Sequence, residues 1–194
     1  VLDGLANTIV AAEIATDLGD RDTRTLPIED VELNMPATVI PTACSSNTNI
    51  DPSRPQFWAG GSLANVTNAR GYRWASGFPV FSVVNTILPI NSPVCTAATA
   101  EDDTTGGGVA GTNYWPRYGS GFLPPSSRHQ GGCHVLMGDG AVKFFTDSIE
   151  AGDQTQTPVV LGGAAPAVPG AQSPYGLWGS LGTRANKETI SEEL

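Results

Sequence analysis

His129 is followed by nine residues and then by Asp139-Gly140, and Ser126 and Ser127 stand just ahead of it. An imidazole oriented by a carboxylate is a general base, and a nearby serine is the group such a base would activate. That combination would make a hydrolase. Against it, the chain has no G-x-S-x-G elbow to expose a nucleophile, and an Asp before Gly has hydrogen bonds to make within its own turn. The pattern favours a structural His129, and the chain is not expected to be an enzyme. As a clamp, His129 would hydrogen-bond backbone or a carboxylate beside the segment that follows, because Gly131-Gly132 lets the chain fold back over it. Its loss is then expected to cost stability, by about 1 to 3 kcal/mol for a buried hydrogen bond.

Other side chains suggest binding chemistry. Glu101, Asp102 and Asp103 precede Gly106-Gly107-Gly108 in a small, polar stretch and are candidate calcium ligands. Calcium takes six to eight oxygens in general, and the D-x-D-x-D-G order that would supply them is absent, so a solvated acidic turn is the favoured reading. No cofactor is assigned. Three cysteines, Cys44, Cys95 and Cys133, allow at most one bridge plus one free thiol. None belongs to a C-x-x-C pair and only two histidines exist, which disfavours a zinc site of ordinary spacing. Trp58, Tyr72, Trp74, Trp115 and Tyr118 could form a platform that stacks on sugars, although core packing accounts for most such residues.

These residues need a frame to hold them. Val135, Leu136 and Met137 lead into Gly138-Asp139-Gly140 and then Ala141 to Phe145, which predicts a β-hairpin over 134–145. Thr8-Ile9-Val10 follows an Asp-Gly turn and reads as a strand in preference to a helix over 1–18. The apolar content of 71–93 predicts two core strands bounded by Pro79 and Pro89. The stretch from Val31 to Val39, broken by Pro36, reads as connecting structure, and Thr96 to Asn113 as a surface loop. Residues 152–174 resemble a linker or long loop, after which Tyr175 to Gly179 anchors the chain back on the body.

Length and charge narrow the function. A chain of 194 residues suffices for one domain with a real core, taken as 1–194. Gly and Pro make up nearly a fifth of it, so the body should be turn-rich and β-rich. A net charge of -9 repels phosphate backbones and argues against nucleic-acid binding. No run of about 18 apolar residues is present, so no membrane span is expected in this chain.

The stretch from Ser126 to Gly132, continued by Val135 to Gly140, resembles the carboxy-terminal H-X9-DG signature of a prepilin-like family abundant in planctomycete bacteria, the domain of unknown function 1559. Three further stretches are similar to that family: Leu2 to Ile9 through Glu13; Arg70-Gly71, Trp74 to Gly77 and Asn85 to Pro93; and Pro174 to Trp178 with Leu181 to Arg184. The resemblance implies an α+β, β-rich fold with a pilin-like antiparallel sheet and long Gly/Pro-rich loops. It also implies a longer precursor whose N-terminal prepilin helix is missing from this chain, export by a type II secretion-like route, and a place outside the cell or in its envelope. Pilin-like proteins sometimes hold calcium near a carboxylate-rich loop, which is the resemblance's contribution to the Glu101 to Asp103 reading.

The expected function is a pseudopilin-like structural or interaction subunit of a filament or of the cell envelope, partnered by itself or by related subunits. The alternative is an extracellular glycan- or ligand-binding module. His129, Asp139 and Gly140 are expected to serve structure. In an oxidising compartment Cys44 and Cys95, both in polar loop segments, should pair, with Cys133 reduced and buried at the hairpin entrance.

Overall fold

A computed structural model of the protein describes residues 3–31, 40–97, 121–159 and 165–184. In chain order the strands are β1 (Ile9–Ala12), β2 (Ile28–Val31), β3 (Cys95–Ala97), β4 (Gly121–Phe122), β5 (Gly132–Met137) and β6 (Val142–Thr146). Three short helices accompany them: α1 (Thr42–Ser45), α2 (Pro79–Ser82) and α3 (Gly176–Leu181). Among the described residues the structure is therefore sheet-rich with little helix, an α+β arrangement. No helix among the described residues is long and apolar enough to cross a membrane.

The expected hairpin is present. β5 and β6 pair antiparallel with Cys133 opposite Phe145, His134 opposite Phe144 and Leu136 opposite Val142. The four residues Gly138 to Ala141 join them, the Met137 amide donating to the Ala141 carbonyl at 2.9 Å and the Gly140 amide to the Met137 carbonyl at 3.0 Å. The left-handed backbone angle this loop needs falls on Gly140, with φ 92°, so Asp139 is spared it. Asp139 Oδ1 instead accepts the Ala141 amide at 2.9 Å, the turn role foreseen for it. β1 adds to the other edge of β5, giving an antiparallel sheet in the order β1-β5-β6 with a bulge between Ile9 and Ala11.

Alternation along β5 sends Cys133, Val135 and Met137 inward and His134 and Leu136 outward. The inward residues meet Ile90, Phe145, Trp178 and Leu181 in one core cluster. Trp178 comes from α3, where it is fully buried, and its indole N–H donates to the Leu88 carbonyl at 2.9 Å. The anchoring role expected of Tyr175 to Gly179 is thus met. The two ends of the preceding stretch meet, the Asp153 amide donating to the Pro174 carbonyl at 2.9 Å, while residues 160–164 within it lie outside the described residues.

The second sheet has the order β2-β3-β4, and here the expectation of an antiparallel sheet needs correction. β3 runs antiparallel to β4 but parallel to β2. Its core holds Leu26, Ile28, Trp58, Leu88, Phe122 and both half-cystines. The two core strands expected within 71–93 are also corrected. Pro79, its φ already helical, starts the single turn α2, and the remainder is turns and extended coil. Part of that apolar content is nonetheless buried, in Val80, Phe81, Leu88 and Ile90. Their backbone finds long-range partners in place of a strand ladder: the Asn85 amide donates to Leu123 and the Asn91 amide to Pro125.

Candidate functional site

The ladder between β1 and β5 continues for one further hydrogen bond, and that bond builds the site. Beyond the end of β1 the Glu13 amide donates to the His134 carbonyl at 3.2 Å, and the His134 amide donates to Glu13 Oε2 at 2.7 Å. The carboxylate is thereby fixed beside the outward face of β5, where alternation has placed the His134 ring. His129 arrives from the turn ahead of β5. Its amide donates to Ser127 Oγ at 3.0 Å, and Ser127 Oγ donates in turn to the Gly132 carbonyl, so the turn is folded back onto the strand. Gly132 is required there, since a Cβ on it would collide with the Phe145 carbonyl oxygen.

Both histidines of the chain consequently converge on one carboxylate oxygen. His129 Nε2 lies 3.3 Å and His134 Nδ1 lies 3.4 Å from Glu13 Oε1. The two imidazoles meet edge to face with centroids 5.2 Å apart, and His134 packs edge-on against Phe144 at 5.1 Å. Partial burial on its own would raise the Glu13 carboxyl, but the His134 amide and the two imidazoles outweigh it and hold the group below its ordinary value. Behind the sheet, burial with the Glu13 charge beside it pushes the Cys133 thiol up to about 12.

The carboxylate beside His129 is Glu13. Asp139 stays in its turn. The expected cost of losing His129 is corrected too: its side chain is 56% exposed, so the contact is a surface one, worth about 1 kcal/mol or less. The serines considered as nucleophiles are buried and occupied, Ser126 Oγ accepting the Ala15 amide at 3.1 Å and Ser127 Oγ serving the turn. Sequence reasoning missed Glu13 and gave no role to His134. Only the β1-β5 pairing, across 121 residues, could have revealed them.

The bridge between Cys44 and Cys95 is formed, with Cα atoms 5.9 Å apart, and Cys133 is free and buried. The setting of the bridge differs from expectation. Cys44 lies on α1 and Cys95 on β3, both fully buried in the second core rather than in polar loops. The candidate calcium ligands Glu101, Asp102 and Asp103, together with Trp115 and Tyr118, lie outside the described residues. Of the remaining aromatics Trp58 is buried, its indole N–H donating to the Leu26 carbonyl at 2.8 Å, which removes it from any platform. Tyr72 is exposed and Trp74 is 81% exposed.

No curated protein and no solved structure matches the chain. A family model does, over residues 1–152, under the description of a protein of unknown function (DUF1559). The match takes in both sheets, the Glu13, His129 and His134 cluster and the hairpin, and stops short of the Pro174 to Arg184 stretch that also resembled the family. The chain therefore belongs to the DUF1559 family.

Proposed function

We propose that this protein is an exported, pseudopilin-like structural or interaction subunit of a filament or of the cell envelope, acting by association and not by catalysis. The observation that carries the reading is the outward face of the β1-β5-β6 sheet. Val142 and Val10 are each 65% exposed there, and Leu136 and Phe144 are exposed beside them. Leu136 lies opposite both Val142 and Ala11, so the face is apolar across all three strands. A half-solvated antiparallel sheet ordinarily turns polar side chains to water, and a patch of this kind marks a contact surface. Copies carrying a net charge of -9 repel one another, so apolar contact is what must supply the attraction.

Two further observations support the reading. The buried disulfide is compatible with an extracellular or envelope location. The engagement of Ser126 and Ser127 in backbone hydrogen bonds favours structure over hydrolysis. Electron microscopy of native envelope fractions, with light scattering of the chain with and without calcium, tests it. Association should be seen, and Val142→Lys with Phe144→Lys should abolish it. Exposed Trp74 and Tyr72 favour a second reading, an extracellular glycan-binding module. A protein that stays monomeric in every condition and gives a clear glycan-array hit would transfer the function to that alternative.

A further inference from the structure

The geometry points to a divalent transition-metal site, best suited to zinc, formed by Glu13 Oε1, His129 Nε2 and His134 Nδ1. Two imidazoles and one carboxylate are a set of borderline donors that zinc accepts, with a fourth position left to water. Metal–nitrogen and metal–oxygen bonds of about 2.0 to 2.2 Å set the edge of a coordination tetrahedron at about 3.4 Å. The two contacts to Glu13 Oε1 measure 3.3 and 3.4 Å. A charge-assisted hydrogen bond would draw such a pair to about 2.7 to 2.9 Å, so the spacing fits a shared ion better than a shared proton. All three donor atoms lie within 4.8 Å of one another, and rotation of two partly exposed imidazoles is enough to close the remaining edge.

The surroundings orient the donors as a metal site requires. Glu13 Oε2 is held by the His134 amide at 2.7 Å, which fixes the carboxylate plane and leaves Oε1 available. His134 is braced by Phe144, and the His129 backbone by the hydrogen bond its amide donates to Ser127 Oγ. Cys133 is not part of the set, because it faces the core on the opposite side of β5. A net charge of -9 favours a cation anywhere on this surface, but charge alone does not bring the only two histidines of the chain onto one carboxylate oxygen. Zinc sites of ordinary spacing draw paired ligands from close in sequence. Here they come from three segments joined by the sheet.

The test is calorimetric titration of Zn²⁺ into the chelator-treated whole chain, with Co²⁺ absorption as a report of coordination geometry. One Zn²⁺ per chain should bind saturably, and Co²⁺ should give the intense visible bands of a four-coordinate centre. Glu13→Gln, His129→Ala and His134→Ala should each weaken binding by about tenfold or more. Imidazole nitrogen shifts of the unaltered protein should place the ion on Nε2 of His129 and Nδ1 of His134, which keeps the test sound should a variant fold poorly. Absence of saturable binding, binding that both histidine variants retain, or imidazole shifts unmoved by Zn²⁺ would overturn the assignment.

Discussion

Breaking the Cys44–Cys95 bridge should lower stability chiefly through the unfolded chain. The bridge joins residues 51 apart in sequence. In the chain-entropy model a loop of that length removes about 14 cal/mol/K from the unfolded ensemble, or about 4 kcal/mol at 25 °C. With a urea dependence of about 2 kcal/mol/M for a chain of this size, the unfolding midpoint should fall by about 2 M on reduction. Both sulfurs are fully buried between α1 and β3, so a reductant reaches them only when the structure opens. The reduced curve must therefore be measured by refolding from the reduced, unfolded protein. Cys44→Ala with Cys95→Ala should fall further than reduction, because it also removes two atoms from a packed core. A reduced protein whose midpoint coincides with that of the oxidised one would refute the reasoning, and would mean that residual structure in the unfolded chain already holds this loop closed.

Three other outcomes are expected. Cys133, its thiol pushed up to about 12, should resist alkylation in the native protein and react with one equivalent of reagent after unfolding without reductant; stoichiometric native labelling would contradict its burial. The Asp51 carboxyl is held down at about 2 by the hydroxyl and amide of Ser53 and then by Arg54, so its contribution to stability is complete above the unfolded carboxylate value and disappears as pH falls through about 2. Carbon-detected NMR titration should show that midpoint, and Ser53→Ala should raise it. Trp178→Ala should cost about 3 to 5 kcal/mol in urea unfolding, whereas Trp178→Phe, which retains most of the packing but leaves the Leu88 carbonyl without its donor, should cost about 1 to 3 kcal/mol.

What the sequence disclosed was what local chemistry determines. The β5-β6 hairpin was legible because alternation with a period of two flanks a Gly-Asp-Gly loop, and β1 because an apolar triplet follows a turn. The stretch 71–93 was misread because apolar content shows burial without showing conformation. Val80, Phe81, Leu88 and Ile90 are buried, but Pro79 diverts the chain into α2 and strand partners are replaced by Leu123 and Pro125, more than thirty residues away. Trp58 carried no local sign of whether it faced solvent or core. The cluster was illegible for the same reason in stronger form: Glu13 meets His129 and His134 only through a strand pairing that spans most of the chain.

The disposition of polar groups bears on function as much as their identity does. Among the described residues, several buried polar side chains tie loops to the frame. Arg70, fully buried, donates to the Pro124 and Val83 carbonyls at 3.2 and 2.9 Å, and Ser126 and Ser127 hold the turn ahead of β5. Asp22, also buried, accepts from the Arg24 guanidinium at 2.6 Å, and that guanidinium reaches the Ser127 carbonyl at 3.0 Å, so even this ion pair serves the same turn. Burying charged and hydroxylic groups costs free energy, offset here by backbone carbonyls and amides and by the Arg24 guanidinium, although the buried Arg70 Nε has no hydrogen-bond partner. What this leaves for the outside is an apolar sheet face, with the Glu13, His129 and His134 cluster sharing the outward side of β5. Those are means of holding another molecule at a surface, and the association proposed for this chain draws on them.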